Sequence, residues 1–374
     1  MNRRTFLAAT AASASRVWGA NGRLGVALIG SGRRGREVMK AFLDTGAADL
    51  RAVADVYDVQ RDRARALLGK PELECVAYQD VLARKDVDAV LIAAPDHLHL
   101  TIALDALRAG KHIYLEKPAL HWPSEGETLR AAVRASGKVC QVGTQQRSGE
   151  HYRRAKEEIF AKSLLGTVTM VRASWSNFPW QARRIAPQPK PVGLDWDRFV
   201  GPAPARAYDW ARYDSWRGYR DYGGGVLADI LNHWADVAQW MMGDASPKSA
   251  QVAGGIFHLK DGRENPDTVS ASIEYAGWNL SFESTVLPVS DDRPTVLFQG
   301  TQGTLDLARA SYIFKPHQGA AVEVKAAGSL EIAHTRNFID AIAAQRAPST
   351  PIETGLDGLR PCFLARQAYW DRHS

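Results

Sequence analysis

Three residues in this sequence have the types needed to take a proton from a secondary alcohol. Lys117 lies in Glu116-Lys117-Pro118 at the end of an apolar run, and Asp229 and His233 stand four residues apart behind Gly223-Gly224-Gly225. An imidazole titrates near neutrality and can act as the base, and a carboxylate one helical turn earlier can hold it. An ammonium can face the developing alkoxide, or shuttle the proton if its pKa is lowered. Losing that proton is productive when hydride leaves the same carbon, which calls for a hydride acceptor. Leu24–Ile29 reads as a strand and runs directly into Gly30-Ser31-Gly32-Arg33-Arg34-Gly35, which opens a helix. This is G-x-G-x-x-G in the strand–turn–helix setting that gives it meaning: a tight turn, close approach of backbone to a pyrophosphate, and close helix packing.

Asp55 ends the second strand, LRAVAD, about twenty residues after Gly35, where a carboxylate can bond both ribose hydroxyls and repel a 2′-phosphate. The expected cofactor is therefore NAD rather than NADP. Arg33 and Arg34 keep an alternative open, because either can face a 2′-phosphate or simply the pyrophosphate. Two further strand ends point at the same crevice, since ligands of open parallel sheets bind beyond the carboxyl ends of the strands. DAVLIAA leads into Pro95-Asp96-His97-Leu98-His99, where Pro95 and His99 would wall the nicotinamide. For His97 and His99 the competing expectation is helix capping or simple exposure. KHIYLEK delivers Lys117.

Together these marks resemble the Gfo/Idh/MocA family, named for glucose-fructose oxidoreductase and inositol dehydrogenase, over residues 23–371. The resemblance implies that Lys117, Asp229 and His233 are the catalytic set. It also implies that Gly30, Ser31, Gly32, Arg33, Arg34, Asp55, Pro95, His99, Glu116 and Gln145 hold the dinucleotide. One departure is visible: Leu231 stands where the family's D-x-G-x-H usually has glycine.

The elements that must position these residues follow from the pattern. Five apolar runs alternate with helical stretches up to about residue 142, including 33–45, 60–68 and 100–109, which predicts a doubly wound parallel sheet. After a helix at 151–161 comes an irregular stretch, 175–222, rich in Trp, Tyr and Arg. A single long helix through Asp229 and His233 is expected next, with Val226, Leu227, Ile230, Leu231, Trp234, Val237, Ala238 and Met241 on its buried face, and Asp236 solvated. Alternating runs such as TVSASIEYAG and PTVLFQG then predict an antiparallel sheet, apolar on both faces, and two helices close the chain at 329–345 and 355–373. The expected fold is α/β, an N-terminal Rossmann doubly wound parallel sheet plus a C-terminal α+β domain with a large, mostly antiparallel sheet. Its parts are residues 1–20 as a signal, 21–145 as the NAD-binding domain and 146–374 as the substrate domain.

In the irregular stretch, Trp175, Trp180, Trp196, Trp210 and Trp216 alternate with Arg183, Arg184, Arg217 and Arg220. Flat rings beside guanidinium forks suit sugar faces and hydroxyls, although any single tryptophan is more readily a packing anchor. Arg147, Arg220 and Tyr222 are the expected substrate contacts because they flank the domain junction and the catalytic helix.

Composition narrows the rest. With 374 residues, 45% apolar and 24% charged, the chain is long enough for two cored domains. The formal charge of +6 includes Arg3, Arg4 and Arg16, which lie in a segment expected to be removed, so nucleic acid is not an expected partner. That segment, MNRRTFLAATAASASRVWGA, pairs Arg3 and Arg4 with Phe6, Leu7 and a short Ala-rich run, as a twin-arginine export signal does. Export to the periplasm or exterior is expected, with no membrane span. Cys75, Cys140 and Cys362 form no C-x-x-C pair and read as core residues, and no metal constellation appears. A homodimer or homotetramer is expected. Free NAD is not expected outside the cytoplasm, so a tightly bound, recycled cofactor follows from export. That leaves two enzymatic readings: net oxidation of a sugar or polyol, or a redox-neutral glycosidase, epimerase or lyase using transient oxidation. The Glu-Lys-Pro motif favours the dehydrogenase. A binding module without turnover is the third reading, opposed by the intact Lys117, Asp229 and His233.

Overall fold

A computed structural model describes residues 22–178, 181, 185–289 and 294–372. The signal-like segment, Trp180, Arg183 and Arg184 lie outside the described residues.

The first sheet is built from β1 (Leu24–Ile29), β2 (Ala48–Ala54), β3 (Leu73–Cys75), β4 (Ala89–Ile92), β5 (His112–Leu115) and β6 (Cys140–Val142). All its pairings are parallel, in the order β3-β2-β1-β4-β5-β6. The strand order reverses between β1 and β4, and this switch point leaves a crevice beyond their carboxyl ends. Every residue of β1 is buried, as expected for a strand covered by helices on both faces. The three-residue β3 escapes the sequence reading because it is too short to show a period.

The second sheet contains β7 (Val168–Ser174), β8 (Ser249–Gly255), β9 (Thr268–Glu274), β10 (Asn279–Thr285), β11 (Thr295–Gly300), β12 (Gly303–Ala308), β13 (Ser311–Pro316) and β14 (Val322–Lys325). It runs β14-β13-β12-β11-β7-β10-β9-β8, antiparallel except where β7 lies parallel to β10. The expectation of two apolar faces is not met. One rank across the sheet reads Tyr312, Leu307, Val296, Ala173, Phe282, Ala271 and Val252, all buried. The neighbouring rank on the other face reads Ile313, Asp306, Leu297, Arg172, Ser281, Ser272 and Gln251, a mostly polar surface.

The helix Leu330–Ala343, grouped by sequence with the second domain, packs back on the first. Phe338, Ile339 and Ile342 join Val38, Met39, Phe42 and Tyr114 in one buried cluster, with Phe338 edge-on to Phe42 and Tyr114. This sets the amino end of that helix, with Glu331, beside the glycine loop.

The helix through Asp229 and His233 is not continuous: Val226–Asp229 and Leu231–Met242 are separated at Ile230. The cause is on the other domain. Lys117 Nζ donates to the Asp229 carbonyl oxygen at 2.8 Å, and the His233 amide turns to the Ile230 carbonyl at 3.2 Å. A lysine thus takes the acceptor that an α-helix would have used. Cys140 and Cys362 are buried as expected, while Cys75 is half-buried.

Candidate active site

Between the carboxyl ends of the parallel strands and the second domain lies a cavity of about 840 Å³. At one end Gly30, Gly32, Arg33, Arg34 and Asp55 line it. At the other are Lys117, Asp229 and His233, with Pro95, His99, Glu116 and Gln145 between. Ser31, although buried and not on the wall, bonds to Asp55.

The glycine loop is imposed by space. Gly30 has φ +86°, and a Cβ there would meet the Ala94 amide nitrogen at 2.6 Å; a Cβ on Gly35 would meet the Gly30 oxygen at 2.1 Å. Gly32 faces open space, leaving backbone accessible to a ligand. Asp55 accepts from the Ser31 amide at 2.7 Å, the Ser31 hydroxyl at 3.1 Å and the Tyr57 amide at 3.0 Å. Burial pushes its carboxyl up, against those donors. Arg33 pairs with Glu37, and Arg34 reaches Glu116 at 3.0 Å and Glu331 at 3.6 Å. Arg34 is therefore engaged toward Glu116 and Glu331, away from Asp55. The Gln145 side-chain oxygen is buried without a partner, while its nitrogen donates to Glu331 at 3.4 Å. An orphaned acceptor, an open glycine loop and a half-buried carboxylate at the β2 end fit an adenine dinucleotide.

At the other end, Lys117 Nζ meets Asp229 Oδ1 at 2.5 Å, and Asp229 Oδ2 lies 2.9 Å from Arg217 Nε and 3.2 Å from Gln181 Nε2. Burial alone would raise the Asp229 carboxyl, but Arg217 and Lys117 override it and hold it well below its ordinary range. The expectation that Asp229 holds His233 is corrected. Asp229 holds Lys117, and His233 Nδ1 is engaged by the Gln146 side chain at 3.0 Å, with Trp175 against the ring. Gln146 engages Nδ1 alone, and His233 lines the cavity. Burial, then Lys117 and Arg309, push His233 well below its ordinary value, so the imidazole is neutral.

His97 and His99 are neither caps nor exposed. His99 bonds the carbonyls of Pro118 and Ala94, His97 that of Phe199, and burial pushes both down to about 4. The expected substrate contacts also lie elsewhere. Arg147 makes a forked pair with Asp236 at 2.9–3.0 Å, and Asp236 is 1% exposed rather than solvated. Arg220 covers the Trp370 ring, and Tyr222 is fully buried between His97 and Phe199. None of these three lines the cavity. Arg217, one of the guanidinium forks of the aromatic stretch, does line it, and the wall is completed by residues to which the sequence gave no such role: Asp96, Gln181, Arg309, Glu331 and Tyr213. Only Asp96 carried a local signal, a carboxylate directly after the β4 end.

Two models of one family match this chain. Residues 24–144 match the oxidoreductase family's NAD-binding Rossmann fold, and residues 154–261 its C-terminal alpha/beta domain. The chain belongs to the Gfo/Idh/MocA oxidoreductase family. Within it, the chain is 25% identical over 364 residues to the uncharacterized oxidoreductase YrbE of Bacillus subtilis, covering 91% of this chain and 92% of that one. It is 31% identical over 160 residues to the inositol 2-dehydrogenase of Klebsiella pneumoniae, a match spanning 41% of this chain and 46% of that enzyme. The fold is that of levoglucosan dehydrogenase in complex with NADH and levoglucosan, with a TM-score of 0.73 at 21% identity over 93% of this chain and 98% of that one. This Gfo/Idh/MocA chain is thus an NAD-binding oxidoreductase. Among its described residues no helix is long and apolar enough to cross a membrane.

Proposed function

We propose that the protein oxidises a secondary alcohol of a sugar, polyol or related carbohydrate, with Lys117, Asp229 and His233 at the reacting carbon. The observation that carries this reading is the meeting of Lys117 and Asp229, from different domains, at 2.5 Å in a cavity whose far end is the glycine loop and Asp55. The named activities of the inositol and levoglucosan dehydrogenases support the substrate class.

Gly30, Gly32 and Asp55 would hold the dinucleotide's diphosphate and ribose, and Pro95, His99 and Gln145 would border its nicotinamide. When bound, that group supplies the hydride acceptor. Asp229 keeps the Lys117 ammonium aimed at the cavity, where it can stabilise an alkoxide. His233 is neutral and, with its Nδ1–H donating to the Gln146 side-chain oxygen at 3.2 Å, offers Nε2 as the proton acceptor. Trp175 and Trp216 supply flat apolar walls for a sugar face.

Turnover of a panel of sugars and aryl glycosides by wild type and Lys117→Ala tests the reading. Lys117-dependent change in nicotinamide absorbance on adding a sugar supports it. Aglycone release without net absorbance change would replace it with the redox-neutral reaction. The same proposal includes export by the twin-arginine route, supported by the Arg3-Arg4 segment, and a homodimer or homotetramer. Periplasmic fractionation and light scattering check these two points.

A further inference from the structure

The segment between β7 and the broken helix does more than connect them. From residue 193 to 217 it crosses the mouth of the cofactor crevice and is fastened to the Rossmann domain at two strand ends. At the β2 end, Tyr57 bridges Leu194, the Asp58 amide donates to the Gly193 carbonyl at 3.2 Å, and the Asp195 amide donates to the Val56 carbonyl at 2.9 Å. At the β4 end, a ring nitrogen of His97 bonds the Phe199 carbonyl at 2.8 Å, and Gly201 sits against Leu98 closely enough that a Cβ would come within 2.6 Å. Trp196, Phe199, Val200, Tyr219 and Tyr222 form a buried cluster of their own, with Val56 packed against it. A segment packed into its own buried cluster, with a backbone seam at one strand end and side-chain contacts at the other, is a fixed wall.

What this wall covers is the Asp55 end of the cavity. Tyr213 packs edge-on to Tyr57, the second residue after Asp55, with centroids 5.7 Å apart, and Trp210 backs both rings. Tyr213 and Asp214 line the cavity together with Asp55 and Gln60, and the run continues through Ser215 and Trp216 to Arg217, which touches Asp229. One continuous stretch therefore borders the crevice from the ribose carboxylate to the reacting centre. An adenosine seated on Asp55 would lie beside the Tyr213 ring, which Tyr57 and Trp210 hold in place.

We propose that residues 193–217 are a fixed cover over the adenosine half of the NAD site, with Tyr213 as the positioning residue that closes it, so that the dinucleotide stays on the protein between turnovers. The inference rests on the NAD site described above. It makes cofactor retention a property of this segment, independent of where in the cell the protein works.

The test reads nucleotide exchange on full-length protein, without an activity assay. Protein loaded with NADH is mixed with excess NAD, and loss of bound NADH fluorescence is followed for wild type, Tyr213→Ala and Trp210→Ala, with far-ultraviolet circular dichroism as a check of folding. The expected result is that wild type retains NADH through gel filtration, and that Tyr213→Ala exchanges at least tenfold faster with an unchanged spectrum. Should Tyr213→Ala fail to fold, Trp210→Ala carries the same expectation. Wild-type NADH lost in gel filtration, or variants that exchange as slowly as wild type, would overturn the cover. Failure to bind any dinucleotide would overturn the NAD site itself, an outcome distinct from fast exchange.

Discussion

Replacing Arg147 by alanine should unfold the protein more readily rather than weaken substrate binding. The guanidinium makes a forked contact with Asp236 at 2.9–3.0 Å and stacks 5.3 Å from the Trp240 ring. Asp236 is 1% exposed. Removing the cation strands a buried carboxylate, a loss of about 3–5 kcal/mol for a pair of this kind. At roughly 2–4 °C per kcal/mol for a domain the size of residues 146–374, Tm should fall by about 6–20 °C. Even with Arg147 in place, burial pushes the Asp236 carboxyl above its ordinary value. Without Arg147 it rises further, and the folded state then holds a proton that the unfolded state releases. Stability falls as pH rises through that window, so the deficit of Arg147→Ala should be smaller at pH 5 than at pH 8. Urea denaturation at both values reads it, and adding Asp236→Asn to Arg147→Ala should recover most of the loss at pH 8 because no charge remains to strand. A variant of wild-type stability with a raised KM would refute the reasoning and return Arg147 to the substrate.

Other outcomes follow from the same geometry. Gly35→Val should abolish NAD binding in calorimetry, because even a Cβ would lie 2.1 Å from the Gly30 oxygen at the turn that receives the diphosphate. Asp55→Ala should weaken NAD binding by one to two orders of magnitude, about 1.4–3 kcal/mol, and narrow its preference over NADP, as titration with each nucleotide will show. Asp96 is buried at the cavity wall, and burial, opposed by Arg217 and reinforced by Asp229, pushes its carboxyl from 3.8 to about 7. Its ionisation therefore costs stability as pH rises from about 4 to 7, on the order of 4 kcal/mol when complete. Asp96→Asn should be more stable than wild type at pH 8 and similar at pH 4, by chemical denaturation.

The cofactor half of the site was legible because its logic is local. A strand, a glycine turn, a helix and a carboxylate at the next strand end lie within about thirty residues, each restricted by backbone geometry at Gly30 or Gly35. Lys117 and His233 were legible as types and by resemblance, but their partners were not. Asp229 was read as the partner of His233 by helical spacing, whereas Lys117 captures both its carboxylate and its carbonyl and breaks that helix at Ile230. No periodicity in one segment can report a hydrogen bond from another domain. The same limit explains Arg147, whose partner Asp236 is 89 residues away, and the parallel pairing of β7 with β10, which depends on tertiary order. Glu331 reaches the cavity because the helix Leu330–Ala343 folds back onto the Rossmann core through Phe338 and Ile342, and Arg309 because it lies in the turn between β12 and β13. In the aromatic stretch Trp196 and Trp210 are packing anchors while Trp175 and Trp216 line the cavity, and that the stretch packs over the crevice depends on the contacts at Tyr57 and His97.

The most direct measurement is to purify the protein, release any bound nucleotide by denaturation for identification by mass, and record nicotinamide absorbance of NAD-loaded wild type and Lys117→Ala as sugars and polyols are added. The account predicts NAD or NADH in the released fraction or on reconstitution, and reduction by at least one carbohydrate that Lys117→Ala slows by a hundredfold or more while still binding NAD. No dinucleotide binding, or reduction that proceeds equally without the Lys117 ammonium, would contradict it.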